Sequence, residues 1–577
     1  MALKSVESSS AWHKISQMPE LLSLIFIFSL PMHNMMPSEH AAPMLLTRIC
    51  RHWRSLALST PQLWSRLRLK IPLDQNDEAE TLRTLQKFSR ILQTYLSRSG
   101  KVGISLDIDL SPLYEGQAAV GVEHRELVSP LISSILPYSH QWRHLSITAP
   151  LQYLTPIMDL VSSGSAPNVE SLTLDFSCDS IFPDFGMNES ELLPFSVMLN
   201  AAPANCLKSL TIYGNADVRV ILCCDLGNLS KSLSHVMFWN VHLEVNANHE
   251  TQLQPATSPM NSLRRLFLAA LITSNDLIQT LRASPELVEL TLDVELRADD
   301  LANGFDHMVE LVHLRKLRIN VGESTSKILG KLQLPSLAFL EFTTDEGPEV
   351  RGVLPEVTSL LQRSNPPLIF CMICDGYGNV REEELIEFLW NAKQLEELRV
   401  IKKGLSNRVL KALTVKDISS VSGVEAEPGG SSSVTDAKEP DGNANLGECR
   451  LCPRLFSVTF TAGNEFSPQA IIDLIVSRCP ARMYRSEELQ PLLSSDDFSS
   501  ASPCIRSNSQ VQGSSNGVEF GSPVSVSPAQ EIRTLKMFQA VVEHSNVVTE
   551  NDTVRQCIDE GLKLHLRDPS SFIPVFI

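Results

Sequence analysis

A six-residue phrase, L-x-x-L-x-L with other apolar residues admitted at its three fixed places, recurs along most of this 577-residue chain. It reads WRHLSI from Trp142, VESLTL from Val169, LKSLTI from Leu207, LSHVMF from Leu233, LRRLFL from Leu263 and LVELTL from Leu287. It continues as LRKLRI from Leu314, LAFLEF from Leu337, LIFCMI from Leu368, LEELRV from Leu395 and LFSVTF from Leu455. Most steps span 23 to 31 residues; the two long ones run from Val169 to Leu207 and from Leu395 to Leu455. The fourth and sixth residues of a phrase, such as Leu172 with Leu174 or Leu290 with Leu292, share one face of a strand. Between phrases, Leu277-Ile278-Leu281, Leu385-Phe388-Leu389 and QAIIDLIVSRCP from Gln469 to Pro480 are spaced as helices. One strand plus one helix cannot bury its own apolar face, but stacked units can, with their strands in parallel. The expected fold class is therefore α/β, a solenoid or horseshoe with its sheet along the inside of the curve.

The segment from Ile15 to Trp64 follows another rule. Pro19 suits a first helical turn, because its missing N–H would be unpaired there, and Glu20 sits at the positive end of the helix dipole. The run Pro19 to Phe28 is apolar nearly all the way round, so it needs burial on more than one side. Broken by Ser29 and stopped at Pro31, it is far too short for the roughly 20 residues of a membrane span. Leu46, Ile49, Cys50, Trp53, Leu56 and Ala57 predict a second helix, with Arg48, Arg51, His52 and Arg54 on its solvated side. Thr60-Pro61 predicts a third, short helix carrying Leu63 and Trp64.

Three phrases of this segment, MPELLSLIF from Met18, RICRHWRSLAL from Arg48 and TPQLWSRL from Thr60, together resemble the F-box of Skp–cullin–F-box ubiquitin ligases, in its fungal form. The resemblance implies a three-helix F-box-like domain over residues 12–70. It also implies that Pro19, Leu21, Leu22, Ile25, Phe26 and Ile49 dock on a Skp adaptor and, through it, a cullin–RING ligase. The stretch MHNMMPSEHAAP lengthens the connection between the first two helices beyond the family pattern. The phrases over residues 139–480 resemble the irregular leucine-rich repeats that follow the F-box in many such proteins, although the asparagine ladder of regular repeats is mostly missing.

Residues 74–136 hold the helical AETLRTLQKFSRILQTYLSRSG and a first strand from Val102 to Leu110, read as a helical linker and first repeat. Two Gly-, Ser- and Pro-rich stretches, 419–448 and 494–530, are expected to be disordered, the second carrying Ser502-Pro503, Ser522-Pro523 and Ser527-Pro528. Over 531–577, EIRTLKMFQAVVEHS reads as a helix and GLKLHLRD as a capping strand.

Composition narrows the function. With 66 acidic against 49 basic residues, the net charge of −17 argues against nucleic acid as a partner. The opening MALKSVESSSAWHK has no apolar core and no later run reaches membrane length, so an intracellular protein, cytoplasmic and/or nuclear, is expected, with no membrane partner. Its 12 scattered cysteines are then reduced thiols, and the sequons at Asn188, Asn228 and Asn551 are silent.

The strongest metal-like pattern is the pair of C-x-x-C phrases, Cys371/Cys374 and Cys449/Cys452. The first pair lies on a predicted strand, where an odd separation points the two thiols to opposite faces. His140 and His144 straddle a repeat boundary, and no nucleophile elbow, phosphate loop or H-E-x-x-H occurs. No enzyme activity and no cofactor are expected. Recognition should instead use the strand residues that alternate with the buried ones. Tyr213, Met237, Trp239, Arg265, Phe267 and Arg318 are the candidate target-binding residues, and Met237, Trp239 and Phe267 form an apolar patch among them. Asp175, Asp293, Glu341 and Arg399 share that face. The expected function is the substrate-recognition subunit of a Skp–cullin–F-box E3 ubiquitin ligase. The alternative is a leucine-rich scaffold whose N-terminal helices merely cap the array, with no ligase link.

Overall fold

The computed structural model describes residues 18–31, 36–71, 78–114, 122–177, 195–197, 206–214, 219–222, 232–245, 262–296, 308–344, 353–376, 378–415, 451–461, 464–478, 535–541 and 545–567. The two stretches expected to be disordered lie outside them. The chain divides into two compact units, residues 1–367 and 368–577.

The first unit opens with helices α1 (Pro19–Phe28), α2 (Leu46–Ile49) and α3 (Arg51–Leu58) and a 3-10 turn at Pro61–Trp64. Strand β1 (Arg66–Lys70), helix α4 (Glu78–Arg98), β2 (Ile104–Asp109), α5 (Val122–Ser133), β3 (Trp142–Thr148), α6 (Leu151–Ser162) and β4 (Ser171–Asp175) then alternate. Next come β5 (Phe195–Val197), β6 (Ser209–Tyr213), β7 (Arg219–Leu222), β8 (His235–Val245), β9 (Arg265–Ile272), α7 (Ser274–Arg282) and β10 (Glu289–Leu296). The unit closes with β11 (Val309–Glu310), β12 (Lys316–Asn320), α8 (Glu323–Leu329), β13 (Leu332–Gln333), β14 (Phe339–Thr344) and α9 (Val353–Ser364).

Its sheet is parallel throughout the order β1, β2, β3, β4, β6, β8, β9, β10, β12, β14. The register follows the phrase: Leu67, Leu106, Leu145, Leu172, Leu210, Val236, Leu266, Leu290, Leu317 and Leu340 stand side by side. None of these ten is more than 5% exposed. Parallel strands need a crossover between them, which is why a helix or loop separates successive phrases. Where a helix is present its apolar stripe, such as Leu277, Ile278 and Leu281 of α7, closes the other side of the core.

The second unit repeats the scheme with β15 (Phe370–Asp375), α10 (Glu382–Asn391), β16 (Glu397–Lys402), α11 (Asn407–Leu413), β17 (Ser457–Phe460) and α12 (Pro468–Ser477). It ends with β18 (Met537–Val541), α13 (Ser545–Thr549), α14 (Asp552–Asp559) and β19 (Lys563–Arg567). Its strands pair in parallel, with Cys371, Leu398, Val458, Phe538 and Leu564 in one row.

Four expectations need correction. The stretch read as a C-terminal helix contains β18, because Leu535, Phe538 and Ala540 are one more copy of the phrase with alanine in its last place, all three buried. The third N-terminal helix is a 3-10 turn, and the ladder begins earlier than the first strand expected at Val102. WSRLRL from Trp64 is itself a phrase and supplies β1. The second helix is interrupted at Cys50, whose extended backbone (φ −153°, ψ 170°) lets its Sγ accept the Trp53 N–H at 3.4 Å and cap α3.

Candidate protein-interaction surfaces

Helix α1 carries two apolar stripes. Leu22 and Phe26, one turn apart, are 0% and 1% exposed, and the Phe26 ring meets Trp53 with centroids 4.8 Å apart. Leu46, Ala57, Leu63 and Trp64 are buried with them as core of the same unit. Leu22 and Phe26 therefore hold the helical module together and leave the docking set proposed from sequence. Pro19, Leu21, Ile25 and Ile49 of that set do face out, Ile49 being 50% exposed. The outward stripe also includes Leu24 and Phe28, so Leu21, Leu24, Ile25 and Phe28 stand at i, i+3, i+4 and i+7. That spacing makes one continuous strip on a helix, the form that inserts into a groove of another protein. The uninterrupted Leu24 to Phe28 run contained this signal; only burial decides which stripe is left outside.

The module is fastened to helix α4 through Trp64. Its indole N–H donates to the Ala57 carbonyl at 2.9 Å, its ring meets Tyr95 edge-on at 5.1 Å, and the Arg98 guanidinium lies 4.4 Å from it. Burial pushes the Tyr95 phenol up to about 12, so it stays neutral in this joint.

A second surface lies on the face of the sheet opposite the leucine rows. The register sets Met237 beside Phe267 and Trp239 beside Tyr213 and Ala269. The Trp239 and Phe267 rings stack, 5.3 Å apart and 14° from parallel, and the Tyr213 hydroxyl donates to the Met237 Sδ at 3.8 Å. Trp239 is 44% exposed, whereas Tyr213, Met237 and Phe267 are half-buried beneath and beside it. Asn240, at φ +53°, makes a bulge between Trp239 and Val241 against β9. Such a bulge ends the regular row and turns the flanking side chains. Arg265 and Arg318 flank the patch, with Nε 3.5 Å from Glu289 and 2.7 Å from Glu341 respectively, and so present ion pairs rather than bare cations. Burial and the nearby Arg265 charge lower the His235 imidazole below its usual range. The structure thus brings Tyr213, Met237, Trp239 and Phe267 into one patch, with the two arginines at its margins.

The first C-x-x-C pair does not turn both thiols to one site. Cys371 is buried and Cys374 half-buried, on opposite faces of β15, and Cys449 lies outside the described residues. Burial pushes the Cys371 thiol well up and the Cys452 thiol to about 12, and the Cys452 Sγ donates to the Leu389 carbonyl at 3.3 Å. His140 lies in the 3-10 turn Leu136–Gln141 while His144 lies within β3, so the two do not share a helix face. Among the described residues there is no group of three or more His, Cys, Asp or Glu able to hold a metal. No described helix is long and apolar enough to cross a membrane.

No known protein-family profile matches the chain. No curated protein matches it either. Among solved structures the chain is similar to one described as the crystal structure of the Rad7 and Elc1 complex in yeast, at 13% identity over 71% of this chain and 90% of that one, with a TM-score of 0.26.

Proposed function

We propose that this chain is the substrate-recognition subunit of a Skp–cullin–F-box E3 ubiquitin ligase, its N-terminal helices docking on a Skp adaptor and its strand face holding a target protein. The observation that carries this reading is the strip of Leu21, Leu24, Ile25 and Phe28 left uncovered on a helix whose opposite stripe is already core. Large apolar side chains grouped in this way on a surface are characteristic of protein interfaces. The Skp assignment itself rests on the resemblance of the three N-terminal phrases to the F-box.

The chain would contribute no nucleophile or base. Holding a target beside a charged ubiquitin-conjugating enzyme raises the effective concentration of the acceptor lysine, and that proximity is the catalysis. The packed joint at Trp64 suits the task, since it ties the docking helices to helix α4 two residues before the first strand begins.

The test is co-purification of the full chain with a Skp adaptor. Leu21→Asp with Ile25→Asp should reduce retention at least about tenfold, because charges would be buried at the interface. Thermal unfolding should stay unchanged, because both positions face outward. Undiminished retention by this variant would overturn the docking face. Absence of any adaptor binding by the native chain would leave the scaffold reading.

A further inference from the structure

Beside the aromatic patch, at the C-terminal ends of β8, β9 and β10, the sheet face dips into a cavity of about 510 Å³. Its floor is Ala269, the smallest side chain in the row, flanked by Trp239 on β8 and Asp293 on β10. Neighbouring strands lie about 4.8 Å apart, so these two walls stand about 10 Å from each other, the width of one inserted side chain. One wall is an exposed indole face backed by the stacked Phe267. The other is acidic: Asp293 and Glu295 point the same way from β10, both exposed, and the Asn320 amide donates to Asp293 Oδ1 at 3.0 Å, orienting that carboxylate. Among the described residues lining the cavity there is no lysine, arginine or histidine.

We propose that this notch receives a lysine or arginine side chain from a basic segment of the target protein. The inference rests on the reading of the strand face as a target-binding surface and names the chemistry it selects. An aliphatic stem fits over Ala269, while the cationic head has the indole face on one side and two carboxylates on the other. Both attractions favour the same guest, a cation–π contact and a charge pair. A neutral apolar side chain would leave the carboxylates desolvated without a partner, and an acidic one would be repelled. Arg265 and Arg318, already paired with Glu289 and Glu341, do not fill the role themselves.

The probe is a random dodecapeptide library displayed on phage, selected against the full purified chain and sequenced. Peptides winning on the native protein should be enriched in Lys or Arg at one position, and their synthetic forms should lose roughly tenfold in affinity to Asp293→Asn/Glu295→Gln. Both replacements are isosteric and exposed, so the fold is kept. Trp239→Leu should cause a comparable loss. The chain has 66 acidic residues, so nonspecific attraction of basic peptides would survive the removal of two. Equal affinity for the double variant, or winners without a basic residue, would overturn the proposal. Retention of the Skp adaptor by the same double variant separates the two readings. The notch can fail while docking persists, and docking can fail while the basic peptide still binds.

Discussion

Arg478→Met should destabilise the second unit by about 3 kcal/mol, although it removes a charge from an apolar interior. Arg478 is 2% exposed, and its guanidinium has no carboxylate partner among the described residues; it is satisfied by backbone carbonyls. Nε and Nη2 donate to Leu413 at 3.0 and 2.9 Å, Nη2 also to Leu451 at 2.9 Å, and Nη1 to Cys452 and Leu455 at 3.1 and 3.4 Å. Methionine fills similar space but orphans the Leu413, Leu451 and Leu455 carbonyls, each at roughly 1–3 kcal/mol, while the Cys452 carbonyl keeps the Leu455 N–H at 3.1 Å. Relief of the buried charge returns several kcal/mol. That charge is under strain from burial, which lowers the guanidinium pKa to about 10. The balance of the two is the expected loss. Cys452 provides the assay, because it is 1% exposed and its thiol is held protonated until the unit opens. Alkylation of Cys452 by iodoacetamide, followed by peptide mass spectrometry, should accelerate about a hundredfold in the variant. A change below about fivefold would mean that the carbonyls find other donors, and the clamp argument would fail.

Gly214→Ala should cost about 1–3 kcal/mol, read as a lower midpoint in chemical denaturation, because an added Cβ would stand 2.5 Å from Val241 Cγ1 and 2.7 Å from the Asn240 carbonyl. Its effect should reach Trp239, which adjoins that bulge, and so weaken the basic peptides selected by the notch. Acid should act on the second unit through Asp375. Burial disfavours that carboxylate's charge, but the Lys402 ammonium at 2.9 Å and backbone N–H groups of Gly378, Asn379 and Val380 outweigh it and hold the pKa below the usual range. A depressed folded value means that its stabilisation is complete above the unfolded pKa of about 3.9 and is lost as pH falls through the lower folded one. Asp375→Asn should therefore flatten the acid limb of a stability–pH profile measured below about pH 4, and an unchanged limb would refute the assignment.

The L-x-x-L-x-L recurrence determined the parallel sheet, its register and its buried rows, because its fourth and sixth places share one face of a strand and its first, mostly in the turn before that strand, is buried in the same core. Composition did less, disfavouring a polyanionic ligand. The phrase is ambiguous where its residues also suit a helix: Met537, Ala540 and Val541 carry no local preference strong enough, and only pairing with β17 and β19 makes them a strand. WSRLRL is hidden within the helical segment, because Trp64 serves both, closing the module and starting the ladder. The N-terminal helix is ambiguous for a similar reason. A helix apolar on every side says that two surfaces must be covered but not which side its own chain covers, and tertiary packing assigned Leu22 and Phe26 inward and Leu24 and Phe28 outward. Alternation along the strands likewise picked out Trp239, Phe267 and Asp293 as facing together. Their arrangement as two walls around Ala269 depends on lateral register between strands 20 to 30 residues apart and on the Asn240 bulge, distances across the sheet that no local spacing encodes.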